Sequence, residues 1–221
     1  MKKRLQLKER VLPRYSRGEE VMNMVTHIVG GGMGLLVLTL CLLKAEGVAS
    51  VVGSAVYGLA MIALYTVSSI YHGLRPEMAK KVMQVLDHCT IYVLIAGTYT
   101  PILLIAFRTV YPGICWGLMA MEWALAALAV TLTAIDLKKY NAFSMVCYIF
   151  LGWGIVFFLP QTVEVLGKTG FGWLLAGGIA YTVGAVLYGI GSKKPWFHSV
   201  FHIFVVLGSF LQAVAICFYV L

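Results

Sequence analysis

Residues 197–221 read FHSVFHIFVVLGSFLQAVAICFYVL. This stretch is almost entirely apolar, and it is long enough to cross the hydrocarbon core of a bilayer, which requires about 20 residues of α-helix. His198 and His202 stand four residues apart at its start. They therefore share one face of the predicted helix, as two ligands of one metal ion must. Two histidines facing lipid headgroups are the alternative that these two residues leave open.

The rest of the chain has the same apolar character. Of 221 residues, 61% are hydrophobic and 12% are charged, and the mean hydropathy is +0.89. This composition excludes a soluble domain and predicts an all-α membrane protein. We interpret residues 1–20 as a basic cytoplasmic tail and residues 21–221 as a seven-helix transmembrane domain. The seven predicted spans are 21–43, 48–73, 82–106, 112–135, 142–160, 171–191 and 197–220.

The distribution of positive charge predicts the orientation. Fourteen of the 17 Lys and Arg residues lie in the tail or in the second, fourth and sixth loops, and only Lys44, Arg108 and Lys168 lie on the other side. The positive-inside rule therefore predicts a cytoplasmic N-terminus and an outer C-terminus. The net charge of +8 does not indicate nucleic-acid binding. No basic face lies between aromatic stacking residues, as such a site requires.

With this topology, all five histidines fall toward the cytoplasmic side. Ser68 lies one helical turn from His72 on the same face. Asp87 indicates a functional site more strongly than Ser68 does, because a carboxylate inside a helical bundle needs a cation, a hydrogen-bond donor or water. Three imidazoles and a carboxylate around one open position are typical of catalytic zinc, where the metal lowers the pKa of its water to about 7 and the carboxylate takes the proton.

Several alternatives remain open at this stage. Asp87 is also compatible with an aspartate near a helix N-terminus, favoured by the helix dipole. His88 points about 100° away from Asp87, so we expect it to support a ligand or to make a helix contact. His27 is compatible with a hydrogen bond to a ligand or with packing. Glu122 lies at the wrong depth for this site and is expected to face a cavity or a polar neighbour.

Small residues and cysteines are interpreted as packing elements. The glycines of the first and sixth runs, Gly30–Gly32 with Gly34 and Gly177–Gly178 with Gly184, are expected to let helices approach closely. The five cysteines form no close pair in sequence and are interpreted as small buried hydrophobic residues, not as a disulfide framework. Pro101 is expected to kink the third helix.

Five segments together resemble the hemolysin III family, the bacterial branch of the progestin and adipoQ receptor proteins. They are residues 19–27 (EEVMNMVTH), 68–72 (SSIYH), 86–92 (LDHCTIY), 97–101 (GTYTP) and 198–202 (HSVFH).

The resemblance spans nearly the whole chain and implies a multi-pass protein of a bacterial inner or plasma (cell) membrane. It implies a seven-helix bundle with zinc near the cytoplasmic face, held by His72, His198 and His202. It also implies that Asp87 acts through a bound water and that Ser68 lies beside it. Related adiponectin receptors and alkaline ceramidases are associated with hydrolysis of ceramide-type lipid amides, and bacterial members with membrane-lipid homeostasis.

The leading hypothesis is therefore a zinc-dependent hydrolase (Zn2+ as cofactor) acting on a lipid amide or ester, with membrane lipids as its partners. A non-catalytic, zinc-stabilised membrane sensor is the alternative. A pore-forming cytolysin, suggested by the haemolytic activity behind the family name, ranks lowest, because the Gly-rich helices are typical of a resident membrane protein.

Overall fold

The computed structural model describes residues 7–191 and 194–221, and within those ranges every regular element is helical. The predicted all-α architecture is therefore confirmed. Residues 1–6 of the predicted tail, and Lys193 among the loop lysines used for orientation, lie outside the described residues. The α-helices are α1 (Arg17–Lys44), α2 (Gly47–Gly73), α3 (Glu77–Pro101), α4 (Pro112–Ile135), α5 (Asn141–Trp153), α6 (Leu159–Gly191) and α7 (Phe197–Ala215).

Among the described residues, six helical segments are long and apolar enough to cross a membrane. Five of them correspond to single predicted spans. The predicted spans 142–160 and 171–191 instead fall within one helical segment of 51 residues, Asn141–Gly191. A 3-10 turn at Gly154–Phe158 joins α5 to α6, and Gly167 inside α6 has a non-helical backbone (φ 70°, ψ 163°). The structure thus has a broken helix where the hydropathy pattern predicts a loop.

Contacts at three points give the course of this long segment. Its start lies beside the end of α4, where the hydroxyls of Thr133 and Ser144 are 3.3 Å apart. Farther along, Glu164 accepts a hydrogen bond of 2.6 Å from Tyr111, which precedes α4. Its last residue, Gly191, faces the Phe197 ring at the start of α7. The segment therefore runs from the end of α4 to the beginning of α4 and then to the start of α7.

The first helix begins earlier than the hydropathy pattern predicts. Ser16 is the N-cap of α1. Its hydroxyl accepts from the Glu19 amide at 3.3 Å, and the Glu19 carboxylate accepts from the Ser16 amide at 2.8 Å. This reciprocal capping box saturates two amides at the helix start. The same carboxylate also accepts the Trp196 amide at 2.7 Å, so the start of α1 is tied to the start of α7.

Pro101 ends the α-helical part of α3, and the predicted kink stays a prediction. A π-helical stretch, Ile102–Phe107, continues from it. The hydroxyls of Thr98 and Thr100 donate to the carbonyl oxygens of Leu94 and Ala96 at 2.7 and 2.8 Å. Pro101 has no amide to donate to the carbonyl oxygen of Gly97, one turn earlier, and these two hydroxyls bond other carbonyl oxygens.

Close packing through glycine is confirmed at some of the predicted positions. A Cβ added at Gly30 would lie 2.5 Å from the Tyr65 ring, and one at Gly177 would lie 2.4 Å from Gln212 and 3.0 Å from the Gly208 carbonyl oxygen. These glycines let α1 approach α2 and α6 approach α7. At Gly32 and Gly178 a Cβ would meet nothing within 4 Å. Neither glycine therefore brings two helices together; Gly32 is exposed and Gly178 is half-buried.

The neighbouring residues Gly177 and Gly178 provide a matched test of this packing. We expect Gly177→Ala to lower the stability of the detergent-purified protein by about 1–3 kcal/mol, because the new methyl overlaps Gln212. Gly178→Ala gains the same helix propensity without an overlap, so it should unfold at the wild-type temperature or above. Thermal unfolding of the three proteins in one detergent measures the difference. Equal melting temperatures for the two variants would contradict the assigned interface.

Candidate metal centre

The three histidines predicted as ligands meet at one end of the bundle. His72 lies in the last turn of α2, while His198 and His202 lie in the first turns of α7 on one face. The Nε2 atom of His198 is 3.4 Å from Nε2 of His72 and 3.0 Å from Nε2 of His202. His72 and His202 are buried and His198 is half-buried. We call this end of the structure the histidine end.

The spacing of these nitrogens fits a metal ion. Zinc binds imidazole at about 2.0–2.1 Å in tetrahedral geometry, which separates two ligand nitrogens by about 3.3 Å. The two separations above lie close to this value, and one donor atom from each of the three histidines falls within 4.8 Å of the others. Three neutral imidazoles cannot satisfy one another by hydrogen bonds alone, because each Nε2 here faces another nitrogen. A single cation accepts all three lone pairs, and a set of three imidazoles suits zinc.

Glu20 orients one of the three histidines. Its Oε2 atom is 2.6 Å from Nδ1 of His72, and its Oε1 atom is 2.6 Å from the ammonium of Lys80. A carboxylate that accepts Nδ1–H leaves the lone pair on Nε2, the nitrogen that faces the other histidines. The side-chain amide of Asn23 is 3.4 Å from the same Nδ1.

Sequence reasoning missed Glu20, which it interpreted as the end of the polar tail. A signal existed in the sequence. Glu20, Asn23 and His27 are spaced three and four residues apart, so they occupy one face of α1. Three polar residues on one face of an otherwise apolar helix indicate a shared polar environment inside the bundle.

His27 packs on the cluster by ring contacts. Its ring stacks on His202 with centroids 3.8 Å apart and planes at 24°, and it meets Tyr65 edge to face at 5.0 Å. Neither nitrogen of His27 has a hydrogen-bond partner within the described ranges. Of the two interpretations left open for His27, the structure therefore supports packing.

Ser68 and Asp87 line the cavity that also contacts His198 and His202. The Ser68 hydroxyl is buried and has no hydrogen-bond partner in the part of the chain that the structure describes. Asp87 lies on the α3 side of the cavity, with one carboxylate oxygen 3.9 Å from Nδ1 of His88. Its carboxylate is not one of the mutually close donor atoms. Asp87 therefore faces the same space as the histidines without belonging to their cluster.

His88 makes helix contacts, as one of its two interpretations predicts. Its Nδ1 atom is 2.8 Å from the Gln84 carbonyl oxygen, and its own carbonyl accepts a hydrogen bond of 2.9 Å from the Tyr148 hydroxyl.

Glu122 is fully buried on α4, with Gly154 packed against it, and it does not line the cavity.

The cavity itself is long and mostly apolar. On one side it extends from Asp87 in α3 to Ile102, the first residue of the π-helical stretch, and on another it extends along α7 from His198 to Gln212. Each of these stretches is about 20 Å long by the rise of an α-helix. Polar side chains are concentrated at the histidine end. The remaining wall is built largely from Leu, Ile, Val and aromatic side chains of α3, α5, α6 and α7.

Tyr15, just before α1, covers the histidine end. Its ring stacks on His198 with centroids 4.8 Å apart and planes at 17°, and lies 5.8 Å from the His72 ring. Burial raises the pKa of the Tyr15 phenol above its usual range, so the hydroxyl stays protonated. The preceding segment is held to α3 by a hydrogen bond of 2.9 Å from the Lys81 ammonium to the Lys8 carbonyl oxygen.

The role of Glu20 generates a prediction about metal affinity. We expect Glu20→Ala to weaken zinc binding about 10–100-fold, because His72 loses the carboxylate that fixes its tautomer and ring orientation. Competition with a chromogenic chelator on purified protein measures this affinity. Glu77→Ala is the matched control, since Glu77 also pairs with a lysine but its side chain is 75% exposed. Unchanged affinity in Glu20→Ala would show that the carboxylate does not support the site.

Comparison with known proteins agrees with this architecture. A family model described as "Haemolysin-III related" matches residues 15–213. The chain is similar to "Hemolysin-3" of Bacillus cereus, with 38% identity over 92% of each chain. It is 31% identical to a "Hemolysin-3 homolog" of Bacillus subtilis (strain 168), over 91% of this chain and 94% of the relative. The human "Monocyte to macrophage differentiation factor" is 25% identical over 73% of this chain and 67% of its own. The chain is therefore a multi-pass membrane protein that belongs to the haemolysin III-related family.

Proposed function

We propose that this protein is a zinc-dependent hydrolase that cleaves an amide or ester bond of a membrane lipid. The observation that carries the proposal is the convergence of three imidazole nitrogens at the polar end of a long apolar cavity. A metal site at one end of a long apolar cavity suits a substrate that has a polar amide or ester bond and an acyl chain. Membrane lipids are the substrates and partners that match this shape.

His72, His198 and His202 would hold the zinc ion, which supplies Lewis-acid chemistry and an activated water. Asp87 faces the cavity from α3 and is the carboxylate available to take a proton from water and return it to the leaving group. The Ser68 hydroxyl, buried and unpaired among the described residues, is free to donate a hydrogen bond to the substrate's carbonyl oxygen. The apolar wall positions the chain so that the scissile bond reaches the histidine end.

We also propose that the chain crosses the membrane seven times, with the N-terminus in the cytoplasm of a bacterial cell. As one straight helix, the 51 residues of Asn141–Gly191 would be about 77 Å long, far more than a hydrocarbon core of about 30 Å. The contacts of Ser144, Glu164 and Gly191 support two crossings with a turn near Gly167. The excess of Lys and Arg on the histidine side supports the orientation. Substrate would then enter laterally from the inner leaflet.

Reporter fusions test this topology. An alkaline phosphatase that is active only outside the cytoplasm should be active after Lys168 and after Leu221, and inactive after Lys139. If Asn141–Gly191 crosses once, the fusion after Leu221 will be inactive instead. Fusions of a reporter that fluoresces only in the cytoplasm provide the reciprocal control.

Elemental analysis of the detergent-purified protein tests the metal centre. We expect about one zinc per chain in the wild type, and loss of zinc in His72→Ala, His198→Ala and His202→Ala. His88→Ala is the matched control, because His88 contacts Gln84 and lies outside the cluster. A wild-type protein free of metal after zinc has been supplied would exclude the hydrolase mechanism.

Catalysis is tested separately from metal binding. We expect Asp87→Asn to keep its zinc and to lose at least 100-fold in the hydrolysis of a lipid amide or ester, because an amide cannot accept the proton. Ser68→Ala should lose less and should also keep its zinc. Release of free fatty acid from a panel of lipids in detergent micelles measures both.

A non-catalytic, metal-stabilised sensor is the second candidate. It is favoured by the fact that the candidate ligands come from different helices. His72 lies on α2, the histidine pair lies on α7, and Glu20 connects His72 to α1. A metal ion bound by these histidines would therefore hold the helices together. In that case Asp87→Asn would leave all function intact, while the histidine variants would loosen the bundle. Lysis of red cells by externally added, zinc-free protein would instead support a cytolysin.

A further inference from the structure

Two cysteines that are distant in sequence meet at the end of the bundle opposite the histidines. Cys41 lies in the last turn of α1, and Cys217 lies in the π-helical turn Ile216–Val220 that follows α7. Their Sγ atoms are 3.1 Å apart, although the residues are separated by 176 positions. Both side chains are buried, and both thiols are free. The contact joins the first helix of the chain to the last.

The separation of the two sulfurs indicates what the pair can form. Two thiolates on one zinc ion, each at about 2.3 Å in tetrahedral geometry, would be about 3.8 Å apart. The observed 3.1 Å is too short for such a bridge. A disulfide brings the sulfurs to about 2.05 Å, and the remaining 1 Å is within the range of a side-chain rotation at a helix end. Covalent pairing is therefore the chemistry that fits this contact best.

Lys44 gives the pair a polar neighbour. Its ammonium donates a hydrogen bond to the carbonyl oxygen of Cys217 and lies 5.3 Å from the centre of the Phe218 ring. This contact fixes the backbone at Cys217 and brings a charged group to the cysteine end of the helix pair. Phe218, the residue after Cys217, is 67% exposed. Local opening of this short π-helical turn would expose Cys217 to a reagent.

We propose that Cys41 and Cys217 are a modification site that forms a reversible intramolecular disulfide, with a small-molecule or protein disulfide as the oxidant. The Cys217 thiolate attacks one sulfur of the oxidant, whose S–S bond breaks and releases one thiolate. The Cys41 thiolate then attacks Sγ of Cys217 and releases the second oxidant thiol. Two protein thiols are oxidised, the oxidant is reduced to two thiols, and the two protons pass to those thiols.

The bond would fasten the π-helical turn Ile216–Val220 to α1 and close a loop between residues 176 positions apart. Cross-linking such distant positions restricts the unfolded chain most strongly. The other three cysteines have no such partner among the described residues. Cys89 donates a weak hydrogen bond to the Val130 carbonyl oxygen at 3.8 Å, and Cys115 and Cys147 are placed in no sulfur contact. The oxidation is therefore expected at one pair only.

The test uses the full-length protein purified in detergent under reducing conditions. It is incubated with oxidised glutathione, quenched with acid, alkylated with a maleimide and digested for mass spectrometry. We expect a peptide that links Cys41 to Cys217, two fewer alkylated cysteines than in the reduced protein, and reversal by a thiol reductant. The oxidised protein should also unfold about 5 °C or more above the reduced protein.

Cys41→Ser and Cys147→Ser are the matched variants. Cys41→Ser should lose the linked peptide and the rise in melting temperature, leaving Cys217 carrying at most one glutathione. Cys147→Ser should behave as the wild type. Alkylation of all five cysteines after oxidation would overturn the proposal, as would a linked peptide that involves Cys89, Cys115 or Cys147. Glutathione retained on Cys217 of the wild type without a link to Cys41 would overturn it as well.

Discussion

Three imidazole nitrogens that face one another within 4.8 Å are the constraint on which the histidine end depends. Inside an apolar bundle there is no bulk water to satisfy them, so the arrangement is favourable only with a shared cation or shared protons. The surrounding residues are arranged around this requirement. Glu20 accepts from His72, His27 stacks on His202, and Tyr15 stacks on His198. Each of these contacts restricts a ring orientation and thereby keeps the nitrogens directed at one point.

The start of α1 holds much of this arrangement together. Glu19 caps its own helix with Ser16 and accepts the Trp196 amide, while Glu20, the next residue, contacts His72 and Lys80. Two consecutive carboxylates therefore link α1 to the end of α2, to α3 and to the start of α7. A displacement of this short segment would disturb the orientation of His72 and the entry into α7 together. The cytoplasmic-tail interpretation of residues 1–20 accordingly understates how much of the site begins before residue 21.

Much of the fold and of the candidate site was predictable from local patterns. Helical spacing placed His198 and His202 on one face, and charge asymmetry placed His72 at the same end, so their meeting required no knowledge of packing. The role of Glu20 was not predicted because its polarity groups it with the N-terminal tail. Its spacing from Asn23 and His27 nevertheless places all three residues on one face of α1. The contact of Cys41 with Cys217 depends on how the first and last helices pack, which no local pattern contains. The break at Gly167 was predicted as a loop, but the chain remains helical on both sides of it.

The stack of Tyr15 on His198 has a consequence for exchange at the histidine end. An aqueous chelator approaching along the bundle axis meets a tyrosine ring and a segment fastened by Lys81, not the imidazoles themselves. A metal ion bound there would exchange along this direction only when the N-terminal segment moves away. Slow exchange of such an ion would then reflect the covering segment and not the affinity of the three imidazoles.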